Sequence, residues 1–264
     1  MENLFGEYPY YQSEYIFFLK KFSEYCEDSV EINICDQILS NENVKVLTKF
    51  FNMEDKFTEE KEINIISKVM NWLFVKLANS ERIKETDEKI LNLLVSIKNK
   101  KNNCYFKALA LAEMLSYCGF YTRTVRCLPI GTFPYDNHCV TAIYLNSVNK
   151  WITVDPTYNL FFKDNDGVYL SLSEMREKLI QGQKINVIYN RKFNFENIKK
   201  IEEQYFGYMS KNFFRFRVNS TLDNEDIQYE LVPKGYLPEN YTVYMPTKAI
   251  ITTTDVDKFW TIRR

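Results

Sequence analysis

The chain has 264 residues, 45% of them apolar, enough for one large domain or for a core with a sizeable extension. Its 34 Lys and Arg stand against 35 Asp and Glu, a net charge of −1, so the charge gives no reason to expect a nucleic-acid partner. The start, Met1-Glu2-Asn3, has no basic n-region, and the densest early apolar patch, Tyr15 to Leu19, is too short for a signal core or a membrane span; no membrane partner and a cytoplasmic location are expected.

In chain order, a helix is predicted from Ser13 to Cys26, where Tyr15, Phe18, Leu19, Phe22, Tyr25 and Cys26 recur at helical spacing behind Ser13 as cap. Val44 to Phe51 reads as a short second helix. Thr58 to Ala78 is a longer one, with Ile63, Ile66, Met70, Leu73 and Leu77 on one face and Glu59 and Glu60 in its first turn. Asp87 to Lys98 carries Ile90, Leu91, Leu94 and Val95 at the same spacing. Residues 1–80 therefore read as a helical N-terminal portion, not required to fold by itself. Residues 81–264 read as the core with C-terminal strands.

Asn102 and Asn103 are cap residues, and ALALAEML after them is apolar nearly all round, so a buried helix is expected to open at Cys104 and to stop at Gly119. Strands follow at Thr122 to Leu128, His138 to Leu145 and Trp151 to Asp155. The polar loop Asn146 to Lys150 suits a hairpin; a turn near Ser147 would pair Tyr144 with about Ile152. Ser171 with Glu174 resembles a capping box, and Gly182 is placed to stop the helix after it. Phe195 to Met209 reads as a further helix through Ile198, Ile201, Tyr205 and Met209.

Beyond that helix strands return. Phe214, Phe216 and Val218 alternate with Arg215 and Arg217, and Ile227, Tyr229 and Leu231 alternate with Gln228 and Glu230. Paired, these runs would set the arginines against Glu230 on what reads as a solvated strand face. Lys248 to Thr254 is the last expected strand, and Phe259 and Trp260 are expected to dock on the core.

The chemistry-bearing residues are Cys104, His138 and Asp155. A thiolate can attack a carbonyl, an imidazole can take and return the proton, and a carboxylate can hold the imidazole's tautomer. His138 is the sole histidine. The helix start, with Lys98, Lys100 and Lys101 upstream, favours a thiolate at Cys104. The hairpin count brings His138 beside Asp155 to Tyr158. The other cysteines are Cys26, Cys35, Cys118, Cys127 and Cys139, and no C-x-x-C pair occurs. With one histidine, no metal site and no cofactor are expected. These five thiols are expected to stay free, with Cys118, Cys127 and Cys139 as small core residues.

Cys104 opening a helix, Gly119, Arg123, His138, Trp151 and Asp155-Pro156-Thr157 together resemble the transglutaminase-like superfamily, within the papain-like fold group. The resemblance spans roughly Asn102 to Leu172. It implies an α+β fold in which the buried Cys104 helix packs on an antiparallel sheet, and a catalytic triad of Cys104, His138 and Asp155. Asn102 stands where members often have Gly, and Val140 and Ala142 stand where members often have Trp and Glu. The resulting expectation is a cysteine amide hydrolase, peptidase-like, acting on a peptide, protein or other amide through a thioester. An acyltransferase passing the acyl group to an amine, and a catalytically silent binding module, are the alternatives.

Overall fold

The computed structural model describes residues 12–36, 38–39, 42–51, 58–78, 94, 103–131, 137–190, 198–221, 226–236 and 249–263. Within them the helices are α1 (Gln12–Lys21), α2 (Glu42–Phe51), α3 (Glu59–Ala78), α4 (Cys104–Tyr117), α5 (Leu172–Gln181), α6 (Ile198–Asn212) and α7 (Val256–Trp260). The strands are β1 (Tyr121–Leu128), β2 (His138–Leu145), β3 (Lys150–Asp155), β4 (Leu160–Lys163), β5 (Asn186–Tyr189), β6 (Arg215–Asn219), β7 (Ile227–Leu231) and β8 (Ala249–Thr253). They form one sheet in the order β5-β4-β3-β2-β1-β6-β7-β8, antiparallel except for the β7–β8 pair. The fold is α+β, with α4 packed on a largely antiparallel sheet and helices N-terminal to it.

Both faces of the central strands are covered, so β2 and β3 carry apolar residues on both sides. On one face, Ile143, Leu145, Ile152 and Val154 pack with Ala110, Leu111, Met114 and Leu115 of α4 and with Ile66, Val69, Met70 and Leu73 of α3. On the other, Val125, Cys127, Val140, Ala142, Leu160 and Phe162 meet Leu19 of α1, Leu172 and Met175 of α5, and Tyr205, Phe206 and Met209 of α6. The helix α4 is thus enclosed between α3 and the sheet. Its nearly all-round apolar sequence matches that position.

Several boundaries differ from the sequence reading. The first helix ends at Lys21, not Cys26. There the Cys26 backbone N–H donates to Thr254 O at 2.9 Å, so pairing with the C-terminal segment replaces another helical turn. The β2–β3 hairpin pairs Tyr144 with Trp151 and Ile143 with Ile152, one step from the expected register. Glu62 of α3 fixes the loop by accepting from Asn146 N at 3.0 Å and Ser147 N at 3.2 Å, and Asn149 turns it at φ 50°. The helix expected from Phe195 continues to Asn212; residues 195–197 lie outside the described residues. So does the Asp87 to Lys98 helix, apart from Leu94, which is buried.

The strand face carrying Arg215, Arg217 and Glu230 is not solvated. Their side chains are 2%, 4% and 0% exposed. Glu230 accepts from Arg215 Nη1 at 2.7 Å and from Arg217 Nε at 2.6 Å, the cross-strand pairing the alternation implied. Arg215 also donates to the carbonyls of Pro129 and Gly131, and Tyr236 to that of Ile130. Pro129 to Gly131 after β1 and Tyr236 after β7, its ring 5.6 Å from the Arg215 guanidinium, lie against this face. No described helix is long and apolar enough to cross a membrane.

Candidate active site

Cys104 is the first residue of α4. Asn103 caps the helix with extended backbone, φ −112° and ψ 174°, and its side chain accepts from Phe106 N at 3.0 Å. The other end is closed by Gly119 at φ +88°: Phe120 N donates to Leu115 O and Gly119 N to Ser116 O, the double bond of a Schellman stop. Cys104 therefore sits where the helix N–H groups lack intrahelical acceptors and the dipole favours negative charge. Lys98, Lys100 and Lys101 lie outside the described residues.

His138 opens β2 and Asp155 closes β3, so the hairpin sets both at one end of the sheet. His138 Nε2 lies 2.6 Å from Asp155 Oδ2, with the pair 3% and 0% exposed. The carboxylate is further held by Thr157 N, which donates to Oδ1 at 2.8 Å, and by the Tyr205 hydroxyl, which donates to Oδ2 at 3.0 Å. With Nε2 engaged by Asp155, Nδ1 is the ring nitrogen left for Cys104, the other group that raises the imidazole. Tyr158 stacks on the imidazole at 5.7 Å and Tyr208 meets it edge-on at 5.8 Å.

The electrostatics follow from this enclosure. The Cys104 thiol is lowered to about 4: hydrogen bonding by the Cys139 thiol is the largest influence, burial opposes it, and the hydrogen bond and charge of His138 and the Cys139 backbone add to the lowering. His138 is raised to about 10; burial alone would lower it, but the charge and hydrogen bond of Asp155, with those of Cys104, outweigh burial. At neutral pH these shifts favour a thiolate at Cys104 and an imidazolium at His138. Lys107, half-buried near Cys104 and Asp155, is held below its usual value chiefly by burial, against the upward pull of those two charges.

The structure pairs His138 with Asp155 at 2.6 Å, and Cys104 lies near enough for His138 to lower its thiol. Four neighbours were missed as site residues. Tyr205 and Tyr208 sit three apart on α6, where the pattern marks Tyr205 only as a core position. Tyr158 follows Asp155-Pro156-Thr157 directly. Cys139 is buried, as a small core residue would be, but it is also the largest influence on the Cys104 thiol. Its signal was its place next to the sole histidine, on the opposite face of the strand. Among the described residues, no group of three or more His, Cys, Asp or Glu side chains is arranged to hold a metal ion.

Residues 52–156 match the family model described as the Transglutaminase-like superfamily, and this segment is a transglutaminase-like superfamily domain. The match starts well before Asn102, taking in α3, which packs on α4, and ends at Pro156. It includes Cys104, His138 and Asp155 but not Tyr158, Tyr205 or Tyr208. The family is mostly enzymatic. No curated protein and no solved structure matches the chain.

Proposed function

We propose that this chain is a cysteine-nucleophile amide hydrolase acting on a peptide or other amide through a thioester. The observation that carries the reading is the alignment at Cys104: a depressed thiol at a helix start, hydrogen-bonded to an imidazole whose Nε2 lies 2.6 Å from a buried carboxylate.

In that reading the Cys104 thiolate attacks the amide carbonyl, and the carbonyl electrons move to oxygen. The backbone N–H of Cys104, in the unpaired first turn of α4, is placed to stabilise that oxyanion. As the intermediate collapses the C–N bond breaks, and the His138 imidazolium gives its proton to the departing amine. The neutral imidazole then takes a proton from water, whose oxygen attacks the thioester and frees Cys104. Asp155 holds the ring in orientation.

A panel of peptide and glutamine-type amides, with and without an added primary amine, tests this. The hydrolase reading expects free acid as the main product, lost in Cys104→Ala. Amide exchange exceeding acid formation would assign acyl transfer instead. No turnover of any amide, with Cys104 unreactive, would leave a binding module.

A further inference from the structure

Residues alternate across β2. Thr141 points to α4, its hydroxyl donating to Ala108 O at 3.0 Å, and Ile143 and Leu145 pack on the same helix. Cys139 lies two residues before Thr141 and so shares that face. Ala108 lies about one helical turn after Cys104. Stepping back from the Thr141–Ala108 contact along strand and helix brings Cys139 to Cys104. The neighbouring strand agrees: Arg126, the ladder partner of Cys139, has its guanidinium 4.3 Å above the ring of Tyr105, the residue after Cys104. The Cys139 thiol is the largest influence lowering the Cys104 thiol and its backbone adds to that lowering, so the two residues are close; the Cys139 thiol also donates to Asn137 Oδ1 at 3.8 Å. Cys139 is 1% exposed, Cys104 half-buried, and all six cysteines are free.

We propose that Cys104 and Cys139 form a reversible oxidative modification site: a hydroperoxide oxidises the Cys104 thiolate to a sulfenic acid, and Cys139 resolves it as a disulfide that blocks the nucleophile. The Cys104 sulfur attacks the outer peroxide oxygen, the O–O bond breaks, and hydroxide or alkoxide leaves. The Cys139 thiol then attacks the Cys104 sulfur as its proton passes to the departing oxygen; the S–O bond breaks and water leaves with that proton. Two thiols are oxidised by two electrons and one peroxide is reduced.

The order of events is set by charge. While Cys104 is a thiolate, its hydrogen bond is the main cause holding the Cys139 proton in place, with burial second. Oxidation of Cys104 removes that negative charge. Cys139 therefore becomes reactive only when there is a sulfenic acid to resolve. The disulfide would protect Cys104 from the irreversible sulfinic state. This inference rests on the same activated thiolate as the hydrolase reading but not on any amide substrate.

The test is treatment of the full chain with a few molar equivalents of hydrogen peroxide, blocking of remaining thiols, and peptide mapping without reductant. The expected result is a Cys104–Cys139 linked peptide pair lighter by two hydrogens, with full recovery of Cys104 labelling after dithiothreitol. In Cys139→Ser, and in Cys139→Ala as a second variant, Cys104 should instead gain two oxygens and its labelling should not recover. Unlinked sulfinic acid at Cys104 in the unsubstituted chain, linkage to Cys127, or equal recovery in a folded Cys139 variant would overturn the proposal. Since the readout is thiol mass, linkage without amide turnover separates this inference from the hydrolase reading, and turnover without linkage does the reverse.

Discussion

The Tyr205 hydroxyl donates to Asp155 Oδ2 at 3.0 Å, the same oxygen that faces His138 Nε2 at 2.6 Å. A residue from α6, beyond the matched family segment, therefore shares the carboxylate that orients the imidazole. Tyr205 is fully buried, and burial first, then the Asp155 charge, push its own phenol well above the usual value, so it remains a donor.

Tyr205→Phe removes that donor while keeping the ring volume. Hydrogen bonds to charged groups contribute about 1.5–3 kcal/mol, and the urea midpoint should fall by a corresponding amount. Acylation by an amide or activated ester should slow on the order of tenfold, the equivalent of about 1.4 kcal/mol of barrier. An unchanged acylation rate would remove Tyr205 from the positioning of Asp155.

The Cys104–His138 pair sets a pH window for thiol reactivity. Cys104 is lowered to about 4, so its thiolate is lost as pH falls through that value. His138 is raised to about 10, so the imidazolium is lost as pH rises through it. Iodoacetamide labelling of Cys104 should be half-maximal near pH 4 and level up to about pH 10. Burial pushes the Cys118 thiol up, while the Cys104 thiolate and then burial do so for Cys139, so at pH 6 Cys104 should label ahead of both. In His138→Ala the acid limb should move to higher pH, because a hydrogen bond and a positive charge are removed. Mass spectrometry of lightly labelled protein reads both the site and the limb.

Arg123 links the N- and C-terminal segments to β1. It is 3% exposed, holds Asp36 through Nε at 2.7 Å and Nη2 at 2.6 Å, and lies over the Trp151 ring at 4.7 Å. Asp36→Ala would leave that guanidinium buried without its carboxylate. Breaking a buried pair in this way costs about 3–5 kcal/mol. Chemical denaturation should show a loss of that size, and a loss under about 1 kcal/mol, the worth of an exposed pair, would mean water replaces the carboxylate.

Glu230→Ala removes the shared partner of Arg215 and Arg217. A loss of about 3–5 kcal/mol is expected in the same measurement, since each buried charge loses a close acceptor. Arg215 also holds the Pro129 and Gly131 carbonyls on the chain leading toward His138. Amide exchange of Ile130 and Gly131 should therefore quicken in Glu230→Ala more than exchange in α4.

The elements legible in the sequence are those fixed by near neighbours. Asn103 and Gly119 delimit α4, and Ser171 with Glu174 forms the capping box of α5, because each signal works within a few residues of backbone. The strands β1, β2 and β3 were legible from their composition. What failed depends on distant partners. Cys26 leaves the helix for Thr254, and Glu62 of α3 holds the hairpin loop. Arg215 and Arg217 look solvated until the C-terminal segments cover their face. For the site, Cys104, His138 and Asp155 were legible by type and order, whereas Tyr205 is indistinguishable in pattern from any core tyrosine. Cys139 was assigned to the core because burial and contact with a thiolate leave the same apolar signature.

The most direct test of the central claim is trapping of the acyl-enzyme. The full chain is mixed briefly with a peptide amide or activated acyl ester, quenched in acid, and its intact mass and peptides are measured. A cysteine hydrolase will carry one acyl group on Cys104 that disappears in water, is absent in Cys104→Ala and forms more slowly in His138→Ala. No adduct on Cys104 across the panel, or an equal adduct in Cys104→Ala, would contradict it.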